Sequence, residues 1–336
     1  MKKEAFFYKR LAEDKVECGL CPHRCNIPPS KLGICGVRKN IDGILYTLFY
    51  GIAAAVNIDP IEKKPFYHFL PGSSAYSVSA PGCNFRCRFC QNWEISQVLN
   101  NSGLILGNQL MPEEIVRQAE DKGCESIAYT YTEPAVFFEY AYDTAKLAKQ
   151  KGLKNVFVTN GYIEEEPLKM IAPFLAAANV DLKSFNDDFY IKVCGGRLEP
   201  VLDTIIRMKK LGVWIEVTTL IIPGENDSEK ELSEIAGFIA SLGKEIPWHI
   251  SRFHPQYKFS SKEVTPLGIL KKAKRIGLKA GLKYVYLGNV PEGNNTYCSK
   301  CGKVILRRNY FEVIDNSLIG NKCSFCGSAF DGVISY

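Results

Sequence analysis

The sequence lacks any apolar stretch long enough to cross a bilayer. The longest one, around residues 46–58, is much shorter than the roughly 20 residues that a membrane-spanning helix needs. Charged residues punctuate residues 1–10, which lack the apolar core of a secretory signal peptide. These two absences argue against a membrane span and against a secreted disulfide scaffold. We therefore expect a cytoplasmic protein.

The sequence also carries little net charge. Its 42 Lys and Arg residues outweigh 36 Asp and Glu residues by only six. One basic stretch, residues 271–275, falls on a predicted helix, and we interpret it as a solvated helix face rather than a nucleic-acid surface. Nucleic acid is not excluded as a partner, because a mild charge by itself names none.

Cysteine, in contrast, is abundant. The chain has 13 cysteines among 336 residues, an odd number that cannot all pair as disulfides, while its 46% hydrophobic content supports a globular core. In a reducing compartment, clustered cysteines indicate metal or redox sites. Their grouping predicts an N-terminal metal module (1–72), a central domain (73–290) and a C-terminal metal module (291–336). The three groups are Cys18, Cys21, Cys25 and Cys35; Cys83, Cys87 and Cys90; and Cys298, Cys301, Cys323 and Cys326.

The central region alternates β-rich runs with helical patterns. This alternation predicts a parallel sheet with right-handed crossovers, and six or seven units indicate a partial (β/α) barrel of the α/β class. Active-site residues should then lie at the carboxyl ends of the strands. The predicted strands are 75–80, 126–131, 155–159, 179–183, 213–222, 249–253 and 284–287.

A loop with three cysteines directly follows the first of these strands. Cys83, Cys87 and Cys90 have the spacing C-x3-C-x2-C. Three thiolates on such a short loop can hold a [4Fe–4S] cluster, and the missing fourth ligand leaves one iron open to a small chelating molecule. The alternatives are a zinc site completed by a remote ligand, or three cysteines that merely pack in the core.

This loop resembles that of the radical S-adenosylmethionine (SAM) superfamily. Further strings resemble the pyruvate formate-lyase activating enzyme group, and the whole chain is most similar to the radical SAM enzymes of the AmmeMemoRadiSam system. The first set of strings is Cys90-Gln-Asn-Trp93, Thr159-Asn-Gly161, Asp181-Leu-Lys183 and Pro247-Trp-His249. The second set is Cys21-Pro-His-Arg-Cys25, Asp59-Pro-Ile-Glu-Lys-Lys-Pro65, His68-Phe-Leu-Pro-Gly72, Tyr131-Thr-Glu-Pro134 and His249-Ile-Ser-Arg-Phe-His-Pro255.

The resemblance implies a reaction. SAM would chelate the open iron, and one electron from the cluster would cleave it to methionine and a 5′-deoxyadenosyl radical that abstracts hydrogen from a substrate. The implied SAM-binding residues are Phe89, Glu133, Thr159, Asn160, Asp181, Lys183 and His249. The chain departs from its relatives at residues 130–134, where a Gly-Gly-Glu-Pro motif keeps only Glu and Pro, and at Val158, where many activases have aspartate.

The two outer cysteine groups predict two further metal sites. Two C-x2-C-G knuckles near the C-terminus flank a predicted hairpin, which is the zinc-ribbon pattern; a rubredoxin-like iron would use the same ligands. The N-terminal C-x2-C-x3-C-x9-C set matches neither a ferredoxin run nor a standard zinc finger, so zinc and an auxiliary iron–sulfur cluster stay open. His23 is a lesser candidate ligand there. Cys194 precedes two glycines and is either a hydrogen or electron donor or an ordinary loop cysteine.

The leading functional hypothesis is an activating-enzyme-like radical SAM oxidoreductase whose substrate is a protein. The alternative is radical SAM modification of RNA or of a small metabolite, because one cofactor site serves many substrates. The resemblance implies a low-potential electron donor of the flavodoxin or ferredoxin type, and Memo-like and AMMECR-like proteins as partners.

Overall fold

A central sheet of eight strands organises the fold in the computed structural model, which describes residues 1–97 and 107–334. Seven strands run parallel and lie side by side in chain order. The eighth, Ala55–Pro60, pairs antiparallel with the first of them and forms one edge. The parallel strands, named first to seventh below, are Ser74–Ser79, Ser126–Tyr129, Lys154–Thr159, Ala177–Asp181, Trp214–Ile221, Trp248–Arg252 and Val285–Gly288.

The sheet is a partial barrel, as predicted. Within the described residues no ladder joins the seventh strand to the other edge, so the barrel stays open. The predicted strands match the observed ones to within a few residues, because runs of buried apolar side chains mark strands that are covered on both faces.

Helices connect the parallel strands. Pro112 opens one helix, and the Ser228 hydroxyl caps another by accepting a hydrogen bond from the Glu231 amide. In the described part of the chain, none of the helices is both long enough and apolar enough to cross a membrane. The α-helices are Trp93–Ser96, Pro112–Asp121, Phe138–Gln150, Glu165–Ile171, Asp187–Phe189, Glu199–Lys210, Glu229–Leu242 and Leu267–Lys279. Short 3₁₀ turns lie at Ile61–Lys63, Pro134–Phe137, Ala172–Phe174 and Tyr257–Phe259, and a π-helical turn at Tyr190–Cys194.

The N-terminal segment packs directly on the barrel. Val16, Leu20 and Val37 of this segment are buried in the same apolar cluster as the barrel strands. The N-terminal segment therefore shares the apolar core of the barrel. Local sequence does not encode this long-range packing. Its short strands are Lys3–Glu4, Tyr8–Arg10, Val16–Cys18, Asn26–Ile27, Arg38–Ile41, Ile44–Thr47 and Ile52–Ala53, the last paired with Asn108–Gln109.

The C-terminal segment forms a small antiparallel module with its own apolar cluster around Cys298, Leu306 and Phe330. A fully buried ion pair, Arg308 with Glu62, joins this module to the segment after the edge strand. Its strands are Thr296–Tyr297, Val304–Asn309, Glu312–Asn316, Leu318–Ile319 and Lys322–Cys323.

The division at residues 72/73 and 290/291 stays a prediction. The Ala55–Pro60 strand lies before the first boundary and yet belongs to the barrel sheet. An edge strand hydrogen-bonds to a neighbouring strand on one side only, so a strand from the preceding predicted module can form this edge of the barrel sheet.

Candidate functional site

A pocket of about 350 Å³ opens at the carboxyl ends of the parallel strands. All ten residues that the sequence assigned to the central cluster and to SAM line this pocket. They come from the cysteine loop, the second to fourth strands and the sixth strand. They are Cys83, Cys87, Cys90, Phe89, Glu133, Thr159, Asn160, Asp181, Lys183 and His249.

The cysteine loop begins at a glycine that no other residue replaces easily. Gly82 has φ of 97°, and a Cβ atom there would lie 2.4 Å from Val37 of the N-terminal segment. Two backbone bonds then fix the loop, since the Arg86 amide donates to the Cys194 carbonyl at 2.6 Å and the Arg88 amide donates to the Val193 carbonyl at 3.0 Å. The π-helical turn thus anchors the cysteine loop through these two backbone hydrogen bonds.

Polar groups surround the sulfurs of this loop. The Phe85 amide donates to Cys83 Sγ at 3.4 Å, Asn160 Nδ2 lies 3.8 Å from the same sulfur, and Ser96 Oγ lies 3.2 Å from Cys90 Sγ. Hydrogen bonds to cysteine sulfurs stabilise thiolates and tune the potential of a bound cluster. The sulfurs of this loop therefore have polar neighbours.

Glu133 is buried at the end of the second strand and ties it to the third. Its carboxylate accepts hydrogen bonds from the Thr159 hydroxyl (2.7 Å), the Asn160 amide (2.7 Å) and the Ala135 amide (3.0 Å). Burial raises the pKa of Glu133 to about 7, although these hydrogen bonds oppose the shift. A carboxylate has about four acceptor sites, so one is left for a ligand.

Lys183 brings a buried positive charge to the cysteine loop. Its ammonium group lies 2.8 Å from the Asp181 carboxylate and 5.9 Å from the centroid of the Phe89 ring. Although burial opposes it, the nearby Asp181 carboxylate raises the pKa of Lys183 well above its usual value. Asp181 and Lys183 therefore form an ion pair at the pocket wall. Only Asp181 is more than one-third exposed.

Sequence reasoning missed Glu216, which orients His249. The fully buried Glu216 carboxylate accepts hydrogen bonds from His249 Nε2 (2.6 Å) and from the Tyr67 and His68 amides (3.0 and 2.8 Å). Although burial opposes ionisation, the hydrogen bond from His249 helps to lower the pKa of Glu216. An acidic residue inside the apolar run Trp214–Ile221 was the available signal.

A cationic rim on the pocket was also missed. Lys63 and Lys64 pair with one carboxylate, that of Asp59, at 2.8 and 2.6 Å. The Tyr131 hydroxyl donates to the same carboxylate at 2.6 Å. Both lysines line the pocket, so two positive charges face one negative charge at this rim. In the sequence, Asp59 stands out only as the first residue of a string that carries the family resemblance.

The C-terminal module contributes one aromatic side chain to the pocket wall. Phe311 follows the strand Val304–Asn309 in the hairpin and lines the pocket. The Arg308 guanidinium, in the same strand, donates to the Tyr67 carbonyl at 2.8 Å, and Tyr67 also lines the pocket. The module therefore touches the site that the barrel builds.

The four cysteines of the C-terminal module form a compact ligand set. Their sulfurs all lie within 4.8 Å of one another, with Cys298 and Cys326 at 3.7 Å and Cys301 and Cys323 at 3.8 Å. Four thiolates around zinc at about 2.3 Å stand about 3.8 Å apart. Among the described residues no other group of three or more metal-ligating side chains is this compact.

The N-terminal cysteines meet around a second, smaller cavity. Cys18, Cys21, Cys25 and Cys35 all line it, together with His23. His23 Nε2 lies 2.8 Å from the carbonyl oxygen of Asn84, in the central cysteine loop.

The pocket lining does not include Cys124, Cys194, His68 or His254. Cys194 is fully buried behind the loop, with its thiol against Cys87, and is not a pocket-lining residue. Cys124 is buried in the core, and His254 is exposed. His68 has a structural role, since its ring nitrogens lie 2.6 Å from the Asp331 carbonyl and 2.6 Å from the Tyr286 hydroxyl.

Comparison with known proteins decides the family. The model of the radical SAM superfamily matches residues 77–236, which contain the cysteine loop and most of the pocket. The chain is 46% identical to the uncharacterized protein MJ0808 of Methanocaldococcus jannaschii over 99% of this chain and 100% of that one. The chain belongs to the radical SAM superfamily.

More distant radical SAM relatives differ in their chemistry. The GTP 3′,8-cyclase of Aquifex aeolicus is 30% identical over 48% of this chain and 51% of its own. The isethionate sulfite-lyase activating enzyme of Nitratidesulfovibrio vulgaris is 24% identical over 54% of this chain and 62% of its own. The radical SAM methyltransferase structure from Sphaerobacter thermophilus shares the fold, with a TM-score of 0.52 at 18% identity over 70% of this chain and 71% of its own.

Proposed function

We propose that this radical SAM protein is an enzyme that holds a [4Fe–4S] cluster on Cys83, Cys87 and Cys90 and cleaves SAM reductively. One observation carries the proposal: the three thiols line one pocket together with every predicted SAM-binding residue. A bound cluster and SAM would supply the chemistry, namely a 5′-deoxyadenosyl radical that removes a hydrogen atom from the substrate.

The protein's own residues would bind and orient SAM. The free acceptor site of Glu133 suits the SAM amino group, and Lys183 offers a positive charge to the SAM carboxylate. Phe89 offers an aromatic face to the adenine. His249 is held in one orientation by Glu216, so it can donate or accept a single directed hydrogen bond.

The substrate proposal is a protein, as for an activating enzyme. The support is the similarity to isethionate sulfite-lyase activating enzyme. A small metabolite is the alternative substrate. Two observations favour it: the similarity to GTP 3′,8-cyclase, and the cationic rim of Lys63 and Lys64, which could hold an anionic group. RNA modification stays within that alternative.

Partners, compartment and outer metals complete the proposal. A flavodoxin- or ferredoxin-type donor would supply the electron, and Memo-like and AMMECR-like proteins are the proposed associates. The cytoplasm is the proposed compartment because free thiolate ligands persist where thiols stay reduced. Zinc is the proposed metal of the C-terminal module, since the sulfur spacing there fits a tetrahedron.

The decisive experiment reconstitutes the protein anaerobically and measures 5′-deoxyadenosine formed from SAM with dithionite. The triple variant Cys83→Ala/Cys87→Ala/Cys90→Ala should lose this product, whereas Cys124→Ala, a buried thiol away from the pocket, should retain it. A wild type that binds a cluster but makes no 5′-deoxyadenosine would overturn the proposal. Deuterium transfer from labelled protein, RNA or metabolite pools into 5′-deoxyadenosine would then separate the substrate classes.

A further inference from the structure

The N-terminal cysteines enclose a space that is too wide for zinc. Cys18, Cys21, Cys25 and Cys35 surround a cavity of about 10 Å³, in which a water-sized sphere fits. Four sulfurs bound to zinc at about 2.3 Å touch one another and leave no such space. These four cysteines are not among the compact metal-ligating groups of the described residues, unlike those of the C-terminal module, whose sulfurs all lie within 4.8 Å of one another.

The central cysteine loop provides an internal comparison. Its three sulfurs also fail to form a compact group, and they belong to a superfamily whose site holds a cubic [4Fe–4S] cluster. A cube places each cysteine on a different corner, so its ligand sulfurs stand farther apart than those of a single ion. The N-terminal set thus resembles the central cysteine loop in lacking the compact arrangement of the C-terminal module.

A buried positive charge faces the same cavity. The Arg38 guanidinium is only 1% exposed, lines the cavity and lies 3.6 Å from Cys18 Sγ through Nη1. Its Nη2 atom pairs with the buried Glu139 carboxylate. Among the described residues, Arg38 Nε has no hydrogen-bond partner. An unpaired buried donor is costly, and an anionic cluster with sulfur acceptors would satisfy it.

The N-terminal module touches the central cysteine loop at three points. His23, two residues after Cys21, lies 2.8 Å from the carbonyl oxygen of Asn84, which follows Cys83. The Arg86 guanidinium donates to the carbonyl of Ile34, the neighbour of Cys35. Gly82 packs against Val37. One hydrogen bond and the covalent path along two short chain segments, Cys21 to His23 and Cys83 to Asn84, therefore connect a ligand of the first site to a ligand of the second.

We propose that Cys18, Cys21, Cys25 and Cys35 bind an auxiliary [4Fe–4S] cluster that passes electrons to the central cluster. A low-potential one-electron donor protein reduces the auxiliary cluster by one electron, which then moves to the central cluster and reoxidises the auxiliary one. No bond forms or breaks in this step. The relay rests on the proposed function, but the presence of the auxiliary cluster does not.

Metal analysis of full-length variants tests the cluster. Wild-type protein should hold about eight irons and eight sulfides, and the triple variant of the central loop should keep about four of each. Cys21→Ala/Cys25→Ala should lose about four irons without losing zinc, while Cys124→Ala should lose no metal. Loss of one zinc in place of iron, or a triple variant without iron, would overturn the proposal. The triple variant keeps all four N-terminal cysteines, so misfolding of the double variant cannot hide the answer.

Activity measurements test the relay. In Cys21→Ala/Cys25→Ala, 5′-deoxyadenosine formation driven by a flavodoxin should be lost, while formation driven by dithionite should persist. Equal flavodoxin-driven rates in wild type and variant would contradict the relay. If wild type forms no product even with dithionite, the proposed function fails, whereas the iron counts above still decide the auxiliary cluster.

Discussion

Two four-cysteine modules flank the barrel, and both are fastened by the same device. Arg38 pairs with Glu139 at the N-terminal module, and Arg308 pairs with Glu62 at the C-terminal one, with all four side chains at most 1% exposed. In both pairs one carboxylate oxygen, Oε2, has no hydrogen-bond partner within the described residues. A buried ion pair adds little net stability but strongly penalises any arrangement that separates its partners.

The two arginines differ in the contacts that they make beyond the ion pair. Arg38 reaches a cysteine sulfur at 3.6 Å, whereas Arg308 donates to the Asn294 and Tyr67 carbonyls and to the Thr296 hydroxyl. The sulfurs of the C-terminal module form a compact group, whereas those of the N-terminal module line a small cavity together with Arg38. A shared docking device thus serves two differently arranged sets of four cysteines.

The largest difference should follow from removing each module's metal. In Cys298→Ser/Cys323→Ser, we expect the C-terminal module to unfold, because structural zinc contributes roughly 10–16 kcal/mol to such small modules. Limited proteolysis should then cleave within residues 294–334. Cys21→Ala/Cys25→Ala should leave the N-terminal segment protected, since that segment shares the barrel core. Equal cleavage of the two altered modules would contradict this contrast.

Arg308→Met should be the next largest effect. It leaves the buried Glu62 carboxylate without its cation, which costs about 3–5 kcal/mol of unfolding free energy. The urea midpoint of the C-terminal module measures this loss. Arg307→Met, in the same strand but exposed, is the matched control and should change stability by about 0.5 kcal/mol or less. Similar midpoints for the two variants would mean that Arg308 is not the anchor.

Arg38→Met should combine a comparable loss of stability with an effect on the cluster. Without a cation near Cys18, the reduced and more negative cluster is less stable, so its reduction potential should fall. Redox titration followed by electron paramagnetic resonance measures the potential. Arg308→Met should leave that potential unchanged, and a shift in both variants would show that the distinction between the two arginines is wrong.

Glu133→Gln should produce the smallest change in stability. This change should not depend on either cysteine module. The pKa of the buried carboxyl is about 7 against an ordinary 4.5, so ionising it in the folded state costs stability as pH rises between these values. Wild type should therefore lose stability from pH 4.5 to 7 more steeply than Glu133→Gln. Melting temperatures across that range measure the slopes, and parallel slopes would refute the assigned pKa.

The sequence was sufficient to predict what depends on local pattern. The parallel strands follow from periodicity and the compact knuckles of Cys298 to Cys326 from spacing, and the barrel rule gives the end of the sheet at which the pocket lies. The SAM-binding residues that line this pocket came from the family resemblance. Long-range pairings were not predictable in this way. Glu216 finds its partners about 150 residues earlier, at Tyr67 and His68, and no local pattern marks them.

The same reason explains the missed docking pairs and the N-terminal core. Arg38 and Glu139 are 101 residues apart, and Arg308 and Glu62 are 246 apart. Each residue alone resembles an ordinary surface charge in the sequence, and only the fold buries it.

Phe311 has a consequence for the order in which the enzyme becomes complete. This ring lines the pocket but belongs to the C-terminal hairpin, beyond the last barrel strand, Val285–Gly288. A nascent chain has already made all three cysteines of the central loop long before Phe311 leaves the ribosome. A chain cut before Phe311 would therefore carry the three cysteines beside an open wall. Because Phe311 follows all seven parallel strands in the chain, the pocket wall is completed only after the whole barrel has been made.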